Sequence, residues 1–320
     1  MVVGGERAAS GYVGSDFVKI FSATPEAIAR AAEIIRSGGL VIMPTETVYG
    51  LAADAMNDEA VSRVFAAKQR PPENPLIVHL ADASQVLRVA EAFPERAQEL
   101  AARFWPGPLT LVLNKRAEVS ELVTGGLQTV ALRVPAHPVA QQLLVASGTP
   151  LAAPSANTFM KLSPTRAEDI EAELLDRVDM VLDGGACAIG LESTVVDCTT
   201  PTLQVLRPGA VPRSAIEDSL SSPTSSHRSP GQYARHYAPV TPLVLVERLG
   251  PDESGLTFET ATHDAQIQMP ASPVEYGARL YAALNELDRL GLKRIAVQRP
   301  PESAAWEAVW DRLVKASHGS

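Results

Sequence analysis

From about Thr24 to Pro212 short apolar runs alternate with stretches of helical period, and few architectures other than a layered α/β domain accommodate that alternation. Thr24 is placed to cap a helix running PEAIARAAEIIRSGG, closed by Gly38 and Gly39. LVIMP then reads as a buried strand, and DEAVSRVFAAKQR as a helix stopped by Pro71 and Pro72. PLIVHL, LTLVLN and TVALRVP read as strands. Ala83 to Phe104 has helical period with a break at Pro94, and Pro138 to Ala146 is a further helix. LAAPSAN is a strand running into a loop. Thr165 and Glu168 form a T-x-x-E box that predicts a helix through Leu175. DMVLDGG, STVVDCT and LQVLRPG give three closely spaced strands, so the sheet is expected to be mixed.

The pattern breaks at Arg213. SLSSPTSSHRSPGQYARHYAP is rich in Ser and Pro without apolar period and reads as an extended linker. Beyond it, TPLVLVERLG is a strand, Val274 to Leu290 an amphipathic helix, KRIAVQR a strand and Ala304 to Lys315 a final helix, in parallel β-α-β order. The expected organisation is a loose leader over 1–23, an α/β domain over 24–212, a linker or lid over 213–239, and a small α/β domain over 240–320.

The 320 residues are enough for two such domains, and 46% hydrophobic residues fill their cores. No segment approaches the ~20 apolar residues of a membrane helix. The N-terminus has neither a basic n-region nor an apolar h-region, so no secretory signal is read there. The two cysteines, Cys187 and Cys198, lie in or beside apolar runs and read as reduced core thiols, which suits a cytoplasmic protein. A net charge of −9 disfavours a chain whose main task is gripping nucleic acid, but it leaves room for a small basic pocket.

No Walker loop, GxGxxG after a strand, G-x-S-x-G elbow or H-E-x-x-H pair is present. Chemistry must come from less familiar stretches. PTETVYGLAAD (44–54) follows a buried strand, which puts Thr and Glu side chains at a strand end, where open α/β sheets place ligands; a plain capping turn explains it equally. Lys68 and Arg70 end a helix before a proline-stiffened loop that feeds a strand carrying His79. Cations there suit the helix dipole, and they also suit a phosphate clamp. APSANTFMKLSPT (153–165) sets Ser155, Asn157 and Ser163 after an apolar strand. LESTVVD puts Ser193 and Thr194 at a strand start, and LRPG puts Arg207 at a strand end. Together they bring Lys68, Arg70, Arg133 and Arg207 to strand and loop junctions of one domain.

In this order PTETVYGL, KQRPPENPLIVH, WPGPLTLVL, TVALRVPAHP, PSAN, STVVD and LRPG resemble the threonylcarbamoyl-AMP synthase family, whose catalytic part is the YrdC-type domain. SPGQYARHYAP and the domain behind it resemble the family's long, two-domain form. The resemblance implies a YrdC-like mixed twisted sheet with flanking helices and a small Rossmann-like second domain. It implies that L-threonine, bicarbonate and ATP, with Mg²⁺ and no organic cofactor, are converted to threonylcarbamoyl-AMP and pyrophosphate. The product would pass to a separate complex that modifies adenosine beside the tRNA anticodon, with weak or no direct tRNA binding. Matched by motif, Thr47, His79, Arg133, Ala153 and Ser193 would line the threonine site. Arg70, Asn74, Thr129, Ser155, Ser163 and Arg207 would face ATP, with Lys68 near the phosphates and Tyr237 closing over the nucleotide. Lys68 and Arg70 would be the catalytic pair. Between SPG and HYAP the chain has Gln232, Tyr233 and Ala234 where many long members have basic and aromatic residues. Two other readings are an RNA-binding module with a concave basic face and a carbamoyltransferase acting on another acceptor.

Overall fold

The computed structural model describes residues 19–216 and 236–318. In chain order the first domain contains β1 (Ile20–Ser22), α1 (Pro25–Arg36), β2 (Val41–Met43), β3 (Gly50–Asp54), α2 (Asp58–Lys68), β4 (Ile77–His79), α3 (Glu95–Phe104) and β5 (Leu109–Asn114). It continues with α4 (Glu121–Thr124), β6 (Thr129–Arg133), α5 (Pro138–Ser147), β7 (Leu151–Ala152), α6 (Ala172–Leu175), β8 (Met180–Asp183), β9 (Thr194–Asp197) and β10 (Gln204–Arg207). Among the described residues the ten strands form one mixed sheet in the order β1-β8-β2-β3-β7-β4-β6-β5-β9-β10.

Strand alternation divides the core. Val41 and Met43 of β2 point to the face covered by α1 and α5, where they meet Ile28, Ile35, Leu143 and Leu144. Ile42 points to the other face and packs with Leu51, Val61, Val64 and Leu100. Burying each such side chain contributes about 1.5–3 kcal/mol. Helix α1 starts where the sequence puts it: the Thr24 hydroxyl accepts from the Ala27 N–H at 3.2 Å, with Pro25 in the first turn.

The second domain is a parallel four-stranded sheet, ordered β11-β14-β12-β13, built from β11 (Leu243–Val246), β12 (Gly255–Thr257), β13 (Gln266–Gln268) and β14 (Ile295–Gln298). Helices α7 (Pro273–Asp288) and α8 (Glu307–Ser317) complete it.

Four expectations change. Residues 20–22, assigned above to the leader, form β1, which pairs in parallel with β8. YGLAAD carries a strand, β3, antiparallel to β2 through Met43 and Gly50, so PTETV is the turn of a hairpin. The box at Thr165 and Glu168 caps nothing: Thr165 is buried with its carbonyl accepting from Cys187, while Glu168 pairs with Arg166, and only a 3₁₀ turn (Ala167–Asp169) and the single turn α6 follow. Strands β12 and β13 have three residues each, GLT and QIQ, too short and polar to announce a period. Of the expected linker 213–239, residues 217–235, with Gln232, Tyr233 and Ala234, lie outside the described residues.

The two domains meet along α7. Gly190 has φ +72°, and a Cβ there would sit 2.7 Å from Ala278 Cα and from the Gly277 carbonyl oxygen. This glycine permits the close approach of the helix backbone to the 189–191 segment. Gly190→Ala is expected to lower stability by about 2 kcal/mol, through left-handed strain and separation of the domains. Thermal denaturation against wild type checks this, and an unchanged midpoint refutes it.

Candidate active site

Three arginines arrive at one cavity from three places, each fixed by a carbonyl of its own or a neighbouring loop. Helix α2 ends at Lys68, Gln69 adopts the left-handed conformation (φ 53°), and the Arg70 N–H reaches back to the Phe65 carbonyl at 3.0 Å. That reversal sends Arg70 into the loop it stiffens, with Nε donating to the Asn74 carbonyl (3.3 Å) and Nη2 to that of Pro75 (2.8 Å). Arg133 ends β6. Its Nε donates to the Gly107 carbonyl of the WPGP turn (3.2 Å), its Nη1 to the Thr47 hydroxyl (2.9 Å), and its Nη2 pairs with Glu46 (2.7 Å). Arg207 ends β10 and donates through Nε (3.1 Å) and Nη2 (2.8 Å) to the Ser193 carbonyl, and through Nη2 to the Ser193 hydroxyl (3.1 Å).

These side chains enclose a cavity of about 50 Å³. Of the residues singled out in the sequence, Thr47, Arg70, His79, Arg133, Ala153, Ser155, Ser193, Arg207 and Tyr237 all line it. Glu192, Thr45 and His236 line it as well. His79 lies at the end of β4 opposite Arg133 of β6, and its Nδ1 is buried without a protein partner. Burial, and then the Arg133 charge, lower its pKa to about 3, so the ring is neutral at pH 7. Thr47 shares a hydroxyl contact with Thr45 at 2.8 Å. The Ser193 hydroxyl meets that of Thr110 at 2.7 Å. The PSAN loop is strapped to β3 by Leu51 N–H to Pro154 O (2.8 Å) and Ala156 N–H to Tyr49 O (2.8 Å), which fixes Ala153 and Ser155.

Lys68, Asn74, Thr129 and Ser163 are not in the cavity lining. Lys68 is buried behind the PSAN loop, and its Nζ donates to the carbonyls of Ser155 and Asn157. Burial first, and then the Arg70 charge, hold its pKa well below the usual lysine value, against the pull of Glu171. Asn74 contributes its carbonyl to Arg70, Thr129 begins β6 in register with Asn114, and the Ser163 hydroxyl donates to Glu192 at 2.6 Å.

Several partners carried no separate signal in the sequence. Glu46 sits inside the PTETVYGL stretch, and its pairing with Arg133 is a long-range contact. Glu192 precedes Ser193 in LESTVVD. Burial raises its pKa, but the Arg312, Arg207 and Ser163 interactions outweigh it and hold the carboxyl down at about 2. His236, beside Tyr237, is also pushed down to about 3, by burial foremost. No group of three or more His, Cys, Asp or Glu side chains among the described residues is set to hold a metal ion.

The comparisons with known proteins bear on this cavity. A family model described as "Telomere recombination", covering Sua5, YciO and YrdC proteins, matches residues 33–209, and the "Threonylcarbamoyl-AMP synthase, C-terminal domain" model matches 204–318. The threonylcarbamoyl-AMP synthase of Pyrococcus abyssi is 41% identical over 317 residues, spanning 90% of this chain and 93% of that protein. The chain belongs to the threonylcarbamoyl-AMP synthase family. The Bacillus subtilis member is 38% identical over 322 residues, spanning 91% of this chain and 93% of its own length. A solved structure of Pyrococcus abyssi Sua5 complexed with L-threonine superposes with a TM-score of 0.82 at 37% identity, covering 91% of this chain and 94% of that one. The two family models thus fall one after the other along this chain.

The histidines give the site a pH signature. His79 and His236 bind a proton more weakly folded, at about 3, than at the ordinary histidine value of 6.5. Between those values the unfolded chain holds more protons, so their contribution to stability is complete above pH 6.5 and is lost as pH falls toward 3. Glu192 loses its contribution lower, between its ordinary 4.5 and about 2. The melting temperature is expected to fall from about pH 7.5 to 5, and His79→Gln to shrink that fall. Parallel wild-type and variant melts measure it; identical pH slopes would exclude a neutral buried His79.

Proposed function

We propose that this chain condenses L-threonine, bicarbonate and ATP into threonylcarbamoyl-AMP and pyrophosphate in the cavity just described. The observation that supports this most is the convergence of Arg70, Arg133 and Arg207 on one cavity that also presents hydroxyls and a neutral histidine. Guanidiniums held by backbone carbonyls are preorganised for anionic groups and need not rearrange when charge develops. Thr47, His79, Arg133, Ala153 and Ser193 would form the threonine end. Arg70, Ser155 and Arg207 would face the nucleotide, with Asn74, Thr129 and Ser163 supporting that side.

In this reading threonine's amine combines with bicarbonate to give a carbamate and water, or with CO₂ to give a carbamate and a proton released to solvent. A carbamate oxygen attacks the α-phosphorus of ATP, a new P–O bond forms, and the bond to the β-phosphate oxygen breaks to release pyrophosphate. Such displacement asks a protein mainly for alignment and charge stabilisation. Arg70 and Arg207 would carry the charge, while Lys68 would hold the loop that bears Ser155. Magnesium would enter as magnesium–ATP, its coordination completed by phosphate oxygens and water. His236 and Tyr237 line the cavity, and ligand pockets run to roughly 300–1,000 Å³, so in this reading these two residues would move aside for ATP and then close water out. No helix among the described residues is long and apolar enough to cross a membrane. We place the protein in the cytoplasm, where a tRNA threonylcarbamoyl-transferase complex would take up the labile product.

A pyrophosphate-release assay with ATP, threonine and bicarbonate omitted one at a time tests the reading. Each omission should abolish release, and release without threonine would sink it. Arg70→Ala should lower kcat/KM by about 10²-fold with an unchanged circular dichroism spectrum. Normal turnover in that variant would remove Arg70 from the nucleotide site.

A further inference from the structure

One guanidinium of the second domain touches two residues that line the cavity, Glu192 and Tyr237, and the residue that follows a third, Arg207. Arg312, on α8, is 1% exposed in its side chain. Its Nε pairs with Glu192 at 2.8 Å, directly before Ser193. Its Nη2 donates to the Pro208 carbonyl at 3.1 Å, directly after Arg207. Its Cζ lies 4.7 Å from the ring centroid of Tyr237 in the cavity lining. Tyr281, on α7, reinforces two of these contacts: its hydroxyl donates to Glu192 at 3.0 Å, and its ring stacks on that of Tyr237 with centroids 6.1 Å apart.

Two physical facts make this more than domain glue. Tyr237 holds φ +56°, a conformation that a bulky residue keeps only where its surroundings enforce it. Arg312 and Tyr281 pack against its ring, and the flanking His236 and Ala238 N–H groups are held by the Lys315 and Met160 carbonyls. A buried ion pair, moreover, adds little net stability over an apolar pair of the same size, because both charges lose their water. What the Arg312–Glu192 pair does secure is direction: a planar guanidinium bonds only along its N–H vectors, so it fixes the Ser193 wall, the Arg207 turn and the Tyr237 ring relative to one another.

We propose that Arg312 and Tyr281 are positioning residues for the reaction in the first domain, holding the nucleotide end of the cavity through Glu192, Pro208 and Tyr237. The proposal rests on the reading of that cavity as the adenylylation site. Arg312 reaches Ser193, at the threonine end, only through its neighbour Glu192, and that end is braced separately by Glu46 and Arg133, so the effect should fall more heavily on ATP than on threonine.

The test uses the full chain as wild type, Arg312→Met, Arg312→Lys and Tyr281→Phe. Readouts are KM for ATP and for threonine in pyrophosphate release, the calorimetric Kd for ATP, and the melting temperature. In Arg312→Met, KM and Kd for ATP should rise about tenfold and KM for threonine less than threefold, with Arg312→Lys recovering part of the loss. Tyr281→Phe, which keeps the ring and loses only the hydroxyl, should raise KM for ATP about threefold. It keeps the proposal testable if Arg312→Met fails to fold. A merely structural role predicts fewer active molecules and a lower melting temperature with both KM values unchanged, and that result in any soluble variant overturns the proposal. Wild-type chain that binds ATP but releases no threonine-dependent pyrophosphate would overturn the functional reading instead, while the ATP Kd comparison would still decide the role of Arg312.

Discussion

Taking a guanidinium out of water is tolerable only if its N–H groups find acceptors, and the architecture of this chain follows from that requirement met three times in one cavity. Arg70 is held by the carbonyls of Asn74 and Pro75, Arg133 by that of Gly107, and Arg207 by that of Ser193. Each acceptor lies in a loop or turn held in place by its neighbours. The proline-rich segments PPENP and WPGP thus act as rigid acceptors for arginines, and their composition has a chemical reason. A chain of net charge −9 can present a positively lined cavity because its cations are few and placed with this care.

The charge balance around the cavity is asymmetric. Arg133 is paired with Glu46, and Glu192 with Arg312, which also meets Asp311. Arg70 is oriented by the carbonyls of Asn74 and Pro75, and Arg207 by that of Ser193, with the Glu192 carboxylate close enough to feel the Arg207 charge. Under the proposed function the Arg70–Arg207 end takes the phosphates, and the Arg133 end takes the amino-acid zwitterion. A neutral His79 fits the second role, since a charged ring beside Arg133 would repel an ammonium group as well as cost desolvation.

The second domain is bound into this balance. Without Arg312, Glu192 would lose its ion-pair partner while buried in the cavity proposed to take phosphate. Its placement by α8 therefore serves electrostatics in the first domain as much as packing in the second. The left-handed Tyr237 and the buried His236 show the same dependence, since the loop that carries them is shaped by contacts from both domains.

Short-range physics made much of this legible from the residues in order. Thr24 and Pro25 begin a helix wherever they meet such an amphipathic run, prolines 71 and 72 forbid its successor from continuing, and alternating apolar residues can bury only as strands. The motif stretches placed their polar groups at strand ends for the same local reason. Contacts across the chain were not legible: that Glu46 answers Arg133, that Lys68 turns behind the PSAN loop instead of into the cavity, that β12 and β13 exist at all, and that Arg312 reaches Glu192 from 120 residues away. Those depend on which surfaces the packed sheets bring together, and a buried charge selects its partner by distance in space, which no spacing along the chain encodes.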